Sequence, residues 1–218
     1  MADVQYASDG SDRMAWEAVH QAKPWGTCPE PAVARFAMRR FGDRLQPGRG
    51  ARLPHALDIG TGSGAQAVWL AQIGFVVDAC DISESAIARA KAWADHVRLA
   101  SIRFRRADVR SLPFSDATYD AVIDVGCLQH VVDDRPKASM EIGRVLKPGG
   151  WLLSIHASLD HSVAAFGGLP ASQASQSDME TLFRPWCSDL IIDRSFYSDS
   201  GRTVAHLIVQ ARRRAEGG

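Results

Sequence analysis

Cysteine is scarce and scattered: Cys28, Cys80, Cys127 and Cys187 form no C-x-x-C pair, so the chain offers neither zinc-ligand spacing nor a dithiol redox motif. At 218 residues it also buries enough core to fold without disulfide staples. No apolar run approaches the ~20 residues of a bilayer span. The opening segment MADVQYASDGSDRM is polar and acidic where a secretory signal is basic and then apolar. The reading is a cytoplasmic protein without a membrane partner. An excess of charge is missing too. Lys+Arg and Asp+Glu both number 25, so no global field recruits nucleic acid, and Arg212-Arg213-Arg214 reads as a solvated tail. Internal repeats are lacking, and the small polar stretch ASQASQS at 171–177 reads as a loop.

What is present is an ordinary globular composition, with 46% hydrophobic and 23% charged residues, in a length that suits one domain. Pro47-Gly48-Arg49-Gly50 separates an N-terminal helical region, with helices expected over 12–21 and 31–45, from an alternating unit. In that unit, strand-length apolar runs at 56–59, 76–81, 102–107, 119–125 and 151–156 are interleaved with amphipathic stretches at 65–73, 84–96 and 135–146. Ser83 is a candidate N-cap, and Lys147-Pro148-Gly149-Gly150 ends the last of these helices. Alternation of this kind implies a mainly parallel α/β sheet with helices on both faces. Two β-rich runs at 190–197 and 203–211 flank Ser198-Asp199-Ser200-Gly201-Arg202 and read as a hairpin that adds an antiparallel edge.

Between the first strand and the first helix lies LDIGTGSG, residues 57–64, where an open parallel sheet binds ligands. Gly60, Gly62 and Ala65 satisfy a loose dinucleotide fingerprint, and Asp81 stands where an acid meets a ribose, so the glycines alone do not choose a ligand. A phosphate-binding P-loop is excluded, because Ala65-Gln66 stands where Lys-Ser/Thr is required. Asp58 shifts the balance. A carboxylate two residues ahead of Gly60 repels a pyrophosphate and suits a nucleoside that carries a cation; its other reading is a solvated or capping carboxylate.

The ordered motifs LDIGTGSG, CDIS (80–83), RADVRSLPF (106–114), YDAVIDVGCLQHV (119–131) and LKPGG (146–150) resemble class I S-adenosylmethionine-dependent methyltransferases. Residues 23–33, KPWGTCPEPAV, look like the small-molecule branch that includes tellurite-resistance and thiopurine methyltransferases. The resemblance implies a Rossmann-like seven-stranded sheet in one domain, with a helical lid segment over 1–50, a cofactor-binding core over 51–160, and an acceptor loop and hairpin over 161–218. It implies S-adenosyl-L-methionine as cofactor, S-adenosyl-L-homocysteine as product, and a small-molecule acceptor methylated at O, N or S by in-line displacement in a monomer or homodimer. By resemblance, Gly60, Thr61, Gly62 and Gly64 approach the methionine moiety. Asp58 organises the loop or meets the ammonium, Asp81 takes the ribose hydroxyls, and Ile82 packs on adenine. Asp108 and Val109 meet the adenine edge, and Asp124 and Gly126 line the transfer site. His130, His156 and His161 are the candidate bases, although His130 has a structural reading as well. Tyr6, Trp25 and Trp186, with His130 and His161, are candidates for the acceptor wall. Two alternatives stand beside this reading: an NAD(P)-dependent oxidoreductase, and a non-catalytic module that binds the same cofactor.

Overall fold

A computed structural model describes residues 11–22, 26–45, 52–99, 101–158, 173–199 and 202–215. Two helices come first, α1 (Ser11–Ala22) and α2 (Pro31–Phe41). Pro31 opens α2 at its first turn, where a missing N–H costs nothing, and Arg39 and Arg40 close it against the negative helix end. α2 stops at Phe41 and gives way to a short 3-10 turn, Gly42–Arg44, so the helix expected to run to 45 is shorter. There follow β1 (His55–Ile59), α3 (Ala65–Gln72), β2 (Val76–Asp81), α4 (Glu84–His96), β3 (Ile102–Arg106), β4 (Tyr119–Val125), α5 (Arg135–Val145) and β5 (Leu146–Ala157). Ser83 caps α4 as expected, its hydroxyl accepting from the Ala86 N–H at 3.1 Å.

The sheet order is β3-β2-β1-β4-β5-β7-β6, where β6 is Cys187–Asp199 and β7 is Arg202–Arg213. β1 pairs in parallel with both β2 and β4, so strand order reverses beside it. β7 runs antiparallel to β5 and to β6. The antiparallel strand is therefore not the edge: it is inserted between two strands that share the direction of the parallel set, and β6 forms the border. LKPGG also departs from the expected turn. Leu146 and the residues after it belong to β5, and the register against β4 shifts between Tyr119 and Ala121.

Alternation along the strands separates two cores. Leu57, Ile59, Val122 and Leu152 face α5 and α6 (Gln176–Phe183), which supply Ile142, Val145, Met179 and Phe183. Ala56, Val77, Ala121, Ile123 and Leu153 face α2 and α3, which supply Phe36, Phe41 and Leu70. Each large apolar side chain so buried contributes roughly 1.5–3 kcal/mol. Of the stretch expected to be a loop, 171–177, residues 171 and 172 lie outside the described residues, 173–175 are non-helical, and Gln176 and Ser177 begin α6: the Ser175 hydroxyl accepts from the Asp178 N–H while the Asp178 carboxylate accepts from the Ser175 N–H, a reciprocal capping box.

Candidate functional site

Because strand order reverses beside β1, the turns that follow β1 and β4 diverge and leave a crevice at the carboxyl edge of the sheet. A cleft of about 320 Å³ opens there. Its floor includes Gly60 and Gly62, its walls come from the ends of β2 and β4, and α1 lies across it through Asp12, Trp16 and His20. At Gly60 a Cβ would stand 2.6 Å from Cys127 Cβ, so the ends of β1 and β4 approach as closely as they do only because that side chain is absent. Gly64 serves packing. It does not line the cleft, its φ is +85°, and a Cβ there would meet Ala90 Cβ at 3.0 Å, so it lets α3 start against α4. Thr61 likewise turns away from the cleft and is held inside the loop.

Three acids converge beneath this loop. Asp58 is 1% exposed, accepts from the Thr61 hydroxyl at 2.6 Å, and is raised to about 7 by burial, with Asp81 and Asp124 adding to the rise against the Thr61 bond. Asp81 ends β2 inside the cleft. Its Oδ2 accepts from the Gly62 N–H and its Oδ1 from the Ser83 N–H, both at 2.9 Å, so one carboxylate ties the glycine loop to the start of α4. Burial pushes it up. Asp124 does not reach the cleft surface: it is fully buried, accepts from the Cys127 N–H at 2.7 Å and the Leu128 N–H at 3.3 Å, and is raised to about 6, chiefly by burial. Its role in the structure is to set the turn after β4.

Ile82, Asp108 and Val109 line the far side of the cleft. Asp108 is gripped by Arg110, with Oδ2 accepting from Nη2 at 2.7 Å and Oδ1 from Nε at 2.9 Å. Arg110 reaches Asp12 of α1 at 3.1 Å and Asp134 at 3.3 Å as well. Despite partial burial, these bonds hold the Asp108 carboxyl below its usual range.

Of the expected histidines, His130 lines the cleft, 7% exposed, with the Trp16 ring edge-on at 4.7 Å. His156 does not. It lies wholly inside the sheet, its Nε2 2.7 Å from Ser154 Oγ and 3.7 Å from Asp124, and burial lowers it to about 3. An inward position on β5 took it away from the ligand edge. Trp186 is core rather than wall: its Nε1–H donates to Ser139 Oγ at 2.9 Å and its ring sits where a Gly143 side chain would be. Tyr6, Trp25 and His161 lie outside the described residues. Sequence reasoning missed Trp16, His20, Gln129, Arg110 and His206, all of which line the cleft. For Trp16 and His20 a signal existed, since the i, i+4 spacing puts both on one face of α1; for the others only the fold could supply it.

The floor without side chains, the acid at the end of β2 and Asp58 beneath the loop fit a nucleoside bearing a sulfonium and an ammonium better than one bearing a pyrophosphate. Among the described residues no group of three or more acids, histidines or cysteines is placed to hold a metal. Residues 57–154 match the family model described as a methyltransferase domain. The chain is 35% identical over 133 residues to O-methyltransferase resE of Aspergillus sclerotiorum, covering 60% of this chain and 48% of that one. It is 34% identical to O-methyltransferase rstn1 of Aspergillus nomiae, over 60% of this chain and 57% of that one. The chain thus spans about half the length of these curated relatives. The fold is similar to that of the Burkholderia thailandensis 1,6-didemethyltoxoflavin N1-methyltransferase, solved with bound 1,6-didemethyltoxoflavin and S-adenosylhomocysteine: TM-score 0.71, 18% identity, 98% of this chain and 93% of that one. These comparisons do not confirm the likeness of residues 23–33 to the tellurite-resistance and thiopurine branch. Residues 57–154 of this chain thus match a methyltransferase domain, and the chain shares its fold with S-adenosylmethionine-dependent methyltransferases of known structure.

Proposed function

We propose that the chain transfers a methyl group from S-adenosyl-L-methionine to a small-molecule acceptor at an oxygen, nitrogen or sulfur atom. The observation that carries this reading is the acid set around the glycine loop, with Asp81 at the end of β2 accepting from the Gly62 N–H and Asp58 buried below. The cofactor supplies a methyl group on a positively charged sulfur, open to in-line attack. The chain's own residues bind, align and exclude water. Asp81, with acceptor capacity left on both oxygens, takes the ribose hydroxyls. Asp58 acts through Thr61 to keep the loop folded, and Ile82 lies against adenine. Asp108 meets the adenine edge while its other lone pairs stay with Arg110, and Val109 offers its backbone N–H. Trp16 and His130 form the acceptor side.

Among the described residues no helix is long and apolar enough to cross a membrane. The acceptor in this reading is a diffusible small molecule, and the protein acts in the cytoplasm as a monomer or homodimer. Calorimetry with S-adenosylhomocysteine tests the reading: binding at sub-millimolar ligand is expected, and a silent titration by folded protein removes it. Asp81→Ala is expected to weaken that binding about 100-fold, roughly 3 kcal/mol for two hydrogen bonds to a charged group. Mass spectrometry of a cell extract incubated with labelled cofactor identifies the acceptor.

A further inference from the structure

The turn after β4 carries Gln129 and His130 side by side, both buried and both lining the cleft. The Gln129 amide has no freedom in which way it faces. Its Oε1 accepts from the main-chain N–H of Ala157, at the end of β5, at 3.0 Å, and an N–H can only donate. The other end of the amide is therefore the NH2 group, and it lies 3.3 Å from His130 Nε2. An amide nitrogen donates and does not accept, so Nε2 must present its lone pair, and the proton of the neutral ring sits on Nδ1. The space for this arrangement is built in: Gly126 has φ +81°, and a Cβ there would press on Gln129 Nε2 at 3.2 Å.

We propose that Gln129 is a positioning residue that holds His130 as its Nδ1–H tautomer, with Nε2 engaged by the amide. The consequence for chemistry rests on the methyltransferase reading. A proton lost by a hydroxyl or amine acceptor does not go to His130 Nε2, because taking it would turn Nε2–H toward the amide NH2, two donors face to face in a buried site. His130 then shapes and polarises the acceptor side and leaves proton removal to another group or to water.

The tautomer is read directly by long-range nitrogen–proton NMR of uniformly labelled protein near pH 8, above the ordinary histidine range, with His130→Gln identifying the resonances. The expected result is a protonated Nδ1 and a strongly downfield, unprotonated Nε2 for His130. An Nε2–H tautomer, an imidazolium or an averaged pair overturns the proposal. In Gln129→Glu the facing oxygen accepts, so the proton is expected to move to Nε2; a variant shown folded by circular dichroism that keeps the original pattern removes Gln129 from the role. Gln129→Leu, expected to average the two nitrogens, gives a second variant should the glutamate fail to fold. Calorimetry of the wild type with S-adenosylhomocysteine runs in parallel. A silent titration beside an intact Nδ1–H signature removes the methyltransferase reading and leaves the positioning role standing.

Discussion

Asp58 and His156 are buried titratable side chains with opposite effects on stability. The Asp58 carboxyl is raised to about 7 from 3.8, so the folded state holds its proton more tightly than the unfolded chain. Its contribution to stability is full below about pH 4 and is lost as pH rises through about 7. At about 1.4 kcal/mol per tenfold change in proton affinity, the ionised carboxylate opposes folding by up to roughly 4 kcal/mol. Asp58→Asn, a neutral side chain of the same shape, is therefore expected to match wild type near pH 4 and to become the more stable of the two by pH 8, as read by urea unfolding across pH. His156 is lowered to about 3 from 6.5. Its contribution is present above about pH 6.5 and is lost as pH falls toward 3. His156→Gln is expected to flatten the acid limb of the same stability profile; an unchanged limb would place the ring in water rather than inside β5. Both carboxylates of the motif, Asp58 and Asp81, were legible in the sequence because strand ends in an open parallel sheet point to its ligand edge. That His156 faces inward, by contrast, depends on the β5–β7 pairing, which no local pattern announces.

At the scale of elements, α1 owes its place to contacts far along the chain. Glu17 sits over the start of α4, where one carboxylate oxygen accepts from the Ser83 hydroxyl and the Glu84 N–H, both at 2.8 Å, and the other accepts from the Ser85 hydroxyl. The Ser85 and Ser83 hydroxyls hold the carboxyl down at about 2. Asp12 completes the hold through Arg110. α1 is thus pinned at two points across the cleft that it covers, and one of them is the exposed positive end of a helix, where a negative charge is favoured. Glu17→Gln is expected to loosen α1, seen as faster hydrogen exchange in α1 at unchanged exchange in β1 and β4, with a several-fold loss of S-adenosylhomocysteine affinity. The helix was legible in its own residues; its docking was not, since Glu17 and Ser83 lie 66 positions apart. A second junction is tighter. A Cβ on Gly143 would stand 2.7 Å from Trp186 Cγ, so Gly143→Ala forces α5 off the Trp186 ring and is expected to cost about 1–3 kcal/mol of unfolding free energy, despite the alanine's better helix propensity.

For the whole molecule, the interior strands β1 and β4 are covered by helices on both faces and paired along both edges, whereas β3 and β6 each end the sheet. Native-state hydrogen exchange is expected to rank β1 and β4 slowest and the outer edges of β3 and β6 fastest. By itself the sequence determined the alternating α/β plan, the glycine loop and the two acids, Asp58 and Asp81, set at the strand ends beside it. Each of those follows from local chemistry: periodicity, capping, and charge beside a turn. Only the tertiary structure decided that β7 enters between β5 and β6, that Gly64 serves a helix contact and Asp124 a turn, that Trp186 and His156 are interior, and that α1 brings Trp16 and His20 to the cleft. The physical reason is common to all of these. A residue's place depends on which distant surface covers it, and burial and pairing across many residues are set by packing, whereas the spacing of neighbours sets only the element in which each residue sits.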